Sequence, residues 1–273
     1  LTQLQTTLQN QISRFGQNIF KEGAIVIPGN LNLDSKLNYV KLTSTYNTTS
    51  TNTVLASLVG RTLTGQNSNI KAIVVNYAES TSTDPATIYV RYTSSGINGS
   101  TRVFGNSEVL VSDGVTPISV QAAGILATGF GSAFSVTAGV MFVKNVFAYF
   151  EDQTILVSKY SSTVTRSIGF KISETIVTSD DDTSILDQAA GTYNYFAPGA
   201  DRYKLALDLE VRYITSAGSD DANYIQLAIV EDGELVKQKN TTDYNIIADT
   251  LARRTFDESG NYTVRPYKLE VVE

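Results

Sequence analysis

Between residues 204 and 213 two kinds of side chain alternate without a break. Leu205, Leu207, Leu209, Val211 and Tyr213 are interleaved with Lys204, Ala206, Asp208, Glu210 and Arg212. A period of two sends one set to each face of a β-strand, whereas a helix would scatter both sets around its circumference. One face must therefore meet a core and the other water, as in an antiparallel sheet covered on one side. Ile168, Phe170 and Ile172 repeat the pattern against Ser167, Gly169, Lys171 and Ser173.

Other stretches read as strands on similar grounds: Ala24 to Ile27, Ile70 to Tyr77, Thr87 to Tyr92, Glu108 to Val111, Val140 to Phe150, Thr154 to Ser158, Tyr224 to Val230 and Leu235 to Lys239. The last two flank Glu231-Asp232-Gly233-Glu234, whose Asp-Gly pair is a hairpin turn signal. SSGINGS at 94–100 predicts a second hairpin, into Thr101–Phe104. Residues 43–53, TSTYNTTSTNT, suit a polar loop or exposed edge strand, and Val54 to Val59 a short helical or extended piece. Threonine, valine and the 15 tyrosines favour pleated, half-buried surfaces. The expected class is mainly β, with antiparallel sheets in two sandwich-like regions.

The start of the chain has a different period. Leu1, Leu4, Leu8, Ile12, Phe15 and Ile19 recur every three or four residues. Their mean spacing of about 3.6 belongs to a straight amphipathic helix with one apolar stripe. A coiled-coil seam repeats every 3.5 residues and would bring Gln11 and Asn18 inward. The helix is expected to pack on its own domain and to end near Glu22–Gly23. A three-helix bundle around a trimer axis is the alternative, and Leu4, Leu8, Ile12, Phe15 and Ile19 are the candidate interface residues. The chain then divides into this helix (1–23), a first β region (24–120), a glycine-rich connector (121–139) and a second β region (140–273). A further short helix is expected over 246–254, with Ile247, Ala248 and Leu251 on one side and Asp243 as its cap.

Chemistry is harder to find. The chain has no histidine and no cysteine, which removes the Ser-His-Asp route, disulfides and thiolate metal sites. A formal charge of −6 offers no footprint for a nucleic-acid backbone. The longest apolar run, Ala138 to Phe150, is too short to insert in a membrane as a helix. Gly124 and Gly129 have the spacing of a phosphate loop, but Phe130 stands where lysine is required. Asp180, Asp181 and Asp182 lack the spaced oxygens, glycine and closing glutamate of a calcium loop, and read as solvated loop charge. Arg253, Arg254, Asp257, Glu258 and Arg265 form a balanced group, read as ion pairs bracing the last helix against a following strand, Tyr267 to Val272. No catalytic, cofactor-binding or metal-ligating residue is expected.

Five segments carry a resemblance. QLQTTLQNQISRFGQNIFKEGAIVIPG opens the chain. VTAGVMFVKNVFAYFEDQTILVSKY lies at 136–160 and RSIGFKISETIVTSDDDTSILDQAAGTYNYFAPGADRYKLAL at 166–207. YIQLAIVEDGEL follows at 224–235, and ADTLARRTFDESGNYTVRPY at 248–267. Together they resemble a module of contractile-tailed phage baseplate and tail-fibre-associated proteins, classed as domain of unknown function 4815. The resemblance implies a virion structural protein, assembled in the bacterial host cytoplasm, that joins the tail to its receptor-binding fibres. It further implies a homotrimer in contact with other tail and baseplate proteins and no catalytic residue; no enzymatic activity, cofactor, nucleic-acid partner or membrane insertion is expected. A receptor-binding or polysaccharide-degrading tailspike is the alternative.

Overall fold

A computed structural model describes residues 2–97, 99–214, 221–239 and 246–261. Helix α1 (Thr2–Ile19) leads into strands β1 (Ala24–Ile27) and β2 (Leu31–Lys41). A minute hairpin, β3 (Thr45–Tyr46) and β4 (Thr49–Ser50), is followed by the short helix α2 (Leu55–Leu58). Next come β5 (Thr62–Gly65), β6 (Lys71–Ala78), β7 (Thr87–Tyr92), β8 (Val109–Ser112) and β9 (Ser119–Gln121). The chain continues through β10 (Thr128–Val136), β11 (Gly139–Val143), β12 (Val146–Phe150), β13 (Gln153–Ser158) and β14 (Arg166–Val177). It closes with β15 (Arg202–Arg212), β16 (Tyr224–Glu231), β17 (Glu234–Gln238) and helix α3 (Ile246–Ser259). The expected mainly β class is what forms: several antiparallel sheets, no closed barrel and a helix near each end.

The longest sheet has eight strands in the order β13-β10-β2-β7-β6-β5-β8-β9; beside it stand a four-stranded sheet, β15-β14-β16-β17, and a three-stranded one, β1-β11-β12. Where the alternation is clearest the pairing is too: Phe170 sits opposite Leu209 and Ile172 opposite Leu207. Their inner faces join Met141, Val143, Phe150 and Leu227 in one core. Ile168, Ala228 and Val230 pack instead on Phe134 and Val157 of the long sheet. The four-stranded sheet thus lies over both neighbours, as the second layer of a sandwich. The far half of the long sheet has a separate core, in which Leu55 and Leu58 of α2 and Phe104 pack with Ile88, Val90, Leu63 and Leu110.

Several expectations are corrected. The glycine-rich stretch 121–139 is not a connector. Residues 128–136 form β10, bonded on one side to β2 and on the other to β13. Its glycines make room for neighbours: a Cβ on Gly129 would lie 2.6 Å from the Tyr39 hydroxyl, and one on Gly131 2.6 Å from the Lys159 carbonyl. Such close approach is a known use of glycine within strands. The two β regions also share a sheet, since β1 pairs with β11. Val140 to Phe150 is a hairpin, turning at Lys144 (φ 50) and Asn145 (φ 64), the left-handed pair that suits a two-residue hairpin loop.

Thr101–Phe104 forms no strand; Phe104 is buried and its N–H donates to the Tyr92 hydroxyl (3.2 Å). Helix α1 ends at Ile19, and Gly23 (φ 76) turns the chain into β1 instead. Helix α3 runs on to Ser259, beyond the 246–254 expected. Asp243, Arg265 and the strand expected over 267–272 lie outside the described residues.

Candidate interaction surface

Helix α1 carries a line of exposed apolar side chains. It roots on the β11–β12 hairpin through residues that the stripe does not contain. Gly16 is buried against Phe142, and a Cβ there would come within 2.3 Å of the ring. Phe20 packs edge-on to Phe147 at 5.7 Å between centroids and tilted against Phe142 at 6.0 Å. Beyond the helix, the Gly23 N–H donates to the Phe142 carbonyl (2.8 Å) and the Lys144 N–H to the Glu22 carboxylate. At about 100° per residue, Gly16 and Phe20 point roughly 100° away from the middle of the apolar stripe.

The stripe is therefore turned away from the body that holds the helix. Leu4 is 63% exposed, Leu8 49%, Ile12 52% and Phe15 63%. Ile19, next to the root, is half-buried. This corrects the expectation that the helix buries its stripe on its own domain. The five residues do share one face, and among the described residues that face is largely uncovered. Helix α3 touches α1, yet its own Leu251 and Phe256 remain exposed. Four large apolar side chains in line are more than the single exposed residues normal on a surface. Sequence reasoning missed the anchoring residues. The available signal was Gly16, which has no helical reason to interrupt α1 and so marks a close approach.

The other candidates dissolve into local structure. Asp181 accepts hydrogen bonds from the Thr178 N–H (3.0 Å) and hydroxyl (2.9 Å), and these hold its carboxyl below the ordinary range. Asp182 accepts from the Ser184 N–H (2.9 Å) at the head of a single helical turn. That bonding, helped by Arg202, lowers its carboxyl as well. Both carboxylates thus close turns. Arg253, Arg254, Asp257 and Glu258 lie exposed along α3, and among the described residues no ion pair joins them. The expected ion-pair brace is not seen there. Gly129 lies within β10 and Gly124 in the turn before it, not in a phosphate-binding loop.

One buried carboxylate was not anticipated. Glu108 is 2% exposed and has no cationic partner among the described residues. Oε1 accepts from the N–H groups of Asn67 (3.1 Å) and Ser68 (2.7 Å), and Oε2 from that of Gly105 (2.7 Å). It ties the β5–β6 turn to the loop before β8, a structural role.

Residues 105–272, more than half of the chain, match the family described as Domain of unknown function (DUF4815). The chain belongs to this family. The matched range takes in the four later segments quoted above, whereas α1 and most of the long sheet's far half precede it. No curated protein and no solved structure matches the chain.

Proposed function

We propose that this member of the DUF4815 family is a structural protein of a phage tail, a baseplate or tail-fibre attachment subunit. It works by assembly and not by catalysis, as a homotrimer in contact with other tail and baseplate proteins. Its place is the virion, reached after assembly in the host cytoplasm. The observation that carries the assembly reading is the line of Leu4, Leu8, Ile12 and Phe15, left open on a helix whose root is fixed elsewhere. Burying such a stripe between chains stabilises by about 25 cal/mol per Å² of apolar surface removed from water. The phage setting rests on the resemblance of the quoted segments.

Replacing Leu8 and Ile12 together with aspartate tests the assembly step. The double variant should fold and have the mass of a single chain in solution, where the natural chain has a multiple. An unchanged oligomer would refute the interface. Locating the chain in an image of the intact particle tests the setting, and its absence from the tail would refute that. Shortened products after incubation with host surface polysaccharide would favour the tailspike alternative.

A further inference from the structure

We infer that the loop between β14 and β15 carries at its tip a binding site for a neutral saccharide. None of its residues belongs to α1, so it stands or falls apart from the assembly reading. Residues 178–201 leave the four-stranded sheet and return to it through a single helical turn and a long excursion. The neck of that excursion is closed by two backbone bonds. The Asp187 N–H donates to the Ala197 carbonyl and the Phe196 N–H to the Asp187 carbonyl, both at 3.0 Å. Ile185 is buried and packs against Gly199. Within the tip the Thr192 hydroxyl donates to the Ala189 carbonyl (2.9 Å) and the Ala197 N–H to the Asn194 carbonyl (2.8 Å).

This frame holds three aromatic rings in water. Tyr193 is fully exposed, Tyr195 is 44% and Phe196 56% exposed, and the last two rings lie 4.0 Å apart between centroids. Phe196 has a φ of 62, a left-handed backbone that is costly for a bulky residue and that glycine adopts freely. With more than half of Phe196 in solvent, packing does little to offset that cost. Backbone strain held in place by its surroundings clusters where a ligand is clamped.

The chemistry of the tip selects the ligand. Across residues 183–200 the sole charge is Asp187, whose carboxylate accepts from the Ala189 N–H (2.9 Å). A charged ligand would find no counter-ion there. The side-chain amides of Gln188 and Asn194 are exposed and have no hydrogen-bond partner among the described residues. An aromatic ring offers a face of negative potential to the polarised C–H groups on one side of a pyranose. Neighbouring amides supply both donors and acceptors for its hydroxyls. Area argues against a protein in the same place. A buried aromatic side chain removes about 150–250 Å² from water, so these three, at their present exposure, offer about 300–500 Å². A stable protein contact takes about 800 Å² from each partner.

Native gels cast with dextran, galactomannan or hydroxyethyl cellulose read the binding on the full-length chain. At least one of the three should retard the natural protein relative to a plain gel. Tyr193→Ala and Phe196→Gly should each weaken the apparent affinity roughly tenfold. Both should keep the melting temperature of the natural chain, since neither ring closes the neck of the loop. Retardation by none of the three polysaccharides, or retardation that both variants retain, would overturn the site. So would a Tyr193→Ala chain whose mass in solution falls from a multiple to a single copy, which would put another protein chain on the rings. A natural chain of single-copy mass that is still retarded would support the saccharide site and refute only the assembly.

Discussion

Glu108→Gln is the substitution whose effect the structure defines best. The change keeps size and shape and removes only the charge and one acceptor. In the native site two carboxylate oxygens serve three backbone donors at 2.7–3.1 Å. An amide can offer its oxygen either to Asn67 and Ser68 or to Gly105. Whichever it chooses, its NH₂ then faces a backbone N–H, and at least one buried donor loses its acceptor. Hydrogen bonds to a charged group contribute about 1.5–3 kcal/mol each, and an orphaned buried donor costs about 1–3 kcal/mol. The site is too tight to relax freely, because Gly65 lies against it: a Cβ there would sit 2.4 Å from Oε1. Glu108→Gln should therefore destabilise by about 2–4 kcal/mol, and Glu108→Ala, which strands all three donors, by more.

At about 3 °C per kcal/mol for a chain of this size, the glutamine variant should melt roughly 6–12 °C lower. Thermal unfolding at pH 7, followed by far-ultraviolet circular dichroism, measures this directly. The pH dependence supplies a second test. Burial pushes the Glu108 carboxyl up, but the bonds from Gly105, Ser68 and Asn67 outweigh it and hold the group below its ordinary range. A carboxyl lowered in the folded state contributes stability above its unfolded pKa, near 4.3, and loses it as pH falls toward the folded value. The gap between natural chain and variant should thus be widest at neutral pH and narrow below about pH 4. A Glu108→Gln protein within about 0.5 kcal/mol of the natural one at pH 7 would refute the account.

Other substitutions probe other joints. Gly16→Val drives a side chain into the Phe142 ring and should release α1 from its root, seen as faster hydrogen exchange across the 139–150 hairpin while β14–β16 exchange as before. Burial raises the Tyr92 hydroxyl to about 12, and burial with Tyr160 and Tyr39 nearby raises Tyr89 further. Both stay neutral in the fold while the unfolded chain ionises near pH 10, so stability is intact below that pH and falls above it. Absorbance at 295 nm should show these tyrosines ionising only with unfolding, and a titration complete in the folded protein near pH 10 would contradict their burial. Gln153→Ala removes the amide that donates to the Leu207 carbonyl (2.7 Å) and accepts from the Leu209 N–H (2.8 Å). It should cost about 1–2 kcal/mol and raise light scattering on mild heating; equal scattering would show that the amide does not guard that edge.

Legibility followed the apolar period. Around Ile168, Phe170 and Ile172 the period of two was plain and the pairing agreed with it, although Ser167 and Gly169 between them are buried as well. β2 was missed because LNLDSKLNYVK is half-buried on both faces, with a burial pattern that never alternates cleanly, and its register with β10 shifts part-way. The turn at Lys144 and Asn145 was hidden inside an apolar run, because lysine does not advertise a left-handed backbone as glycine does. Glu108 was legible only as the first residue of a strand; its burial depends on donors some 40 residues earlier. The apolar stripe of α1 was legible from Leu4 to Ile19, Leu1 lying outside the described residues. Which surface covers it was not, because a 3.6-residue period states that a face is apolar and leaves open whose apolar surface it meets.

The contrast between the sheet edges and α1 decides how that open face should be understood. Elsewhere the chain guards surfaces that invite association. β15 is an eleven-residue edge strand, long enough to template another chain. Its middle is closed by the Gln153 amide, which occupies the positions a neighbouring strand would use. Lys204 stands on the same strand, and β9 and β17 end their sheets after three and five residues. Short edges, charged edges and plugged edges are the devices by which folded chains avoid unwanted pairing. Among the described residues these sheet edges are guarded, whereas leucine, leucine, isoleucine and phenylalanine stand exposed in line on a firmly rooted helix, the face that the proposed assembly would cover. The substitution that distinguishes this from mere tolerance is Leu8→Asp with Ile12→Asp: a stripe that is only tolerated would accept both charges with no change in mass, whereas a covered one would release its partners.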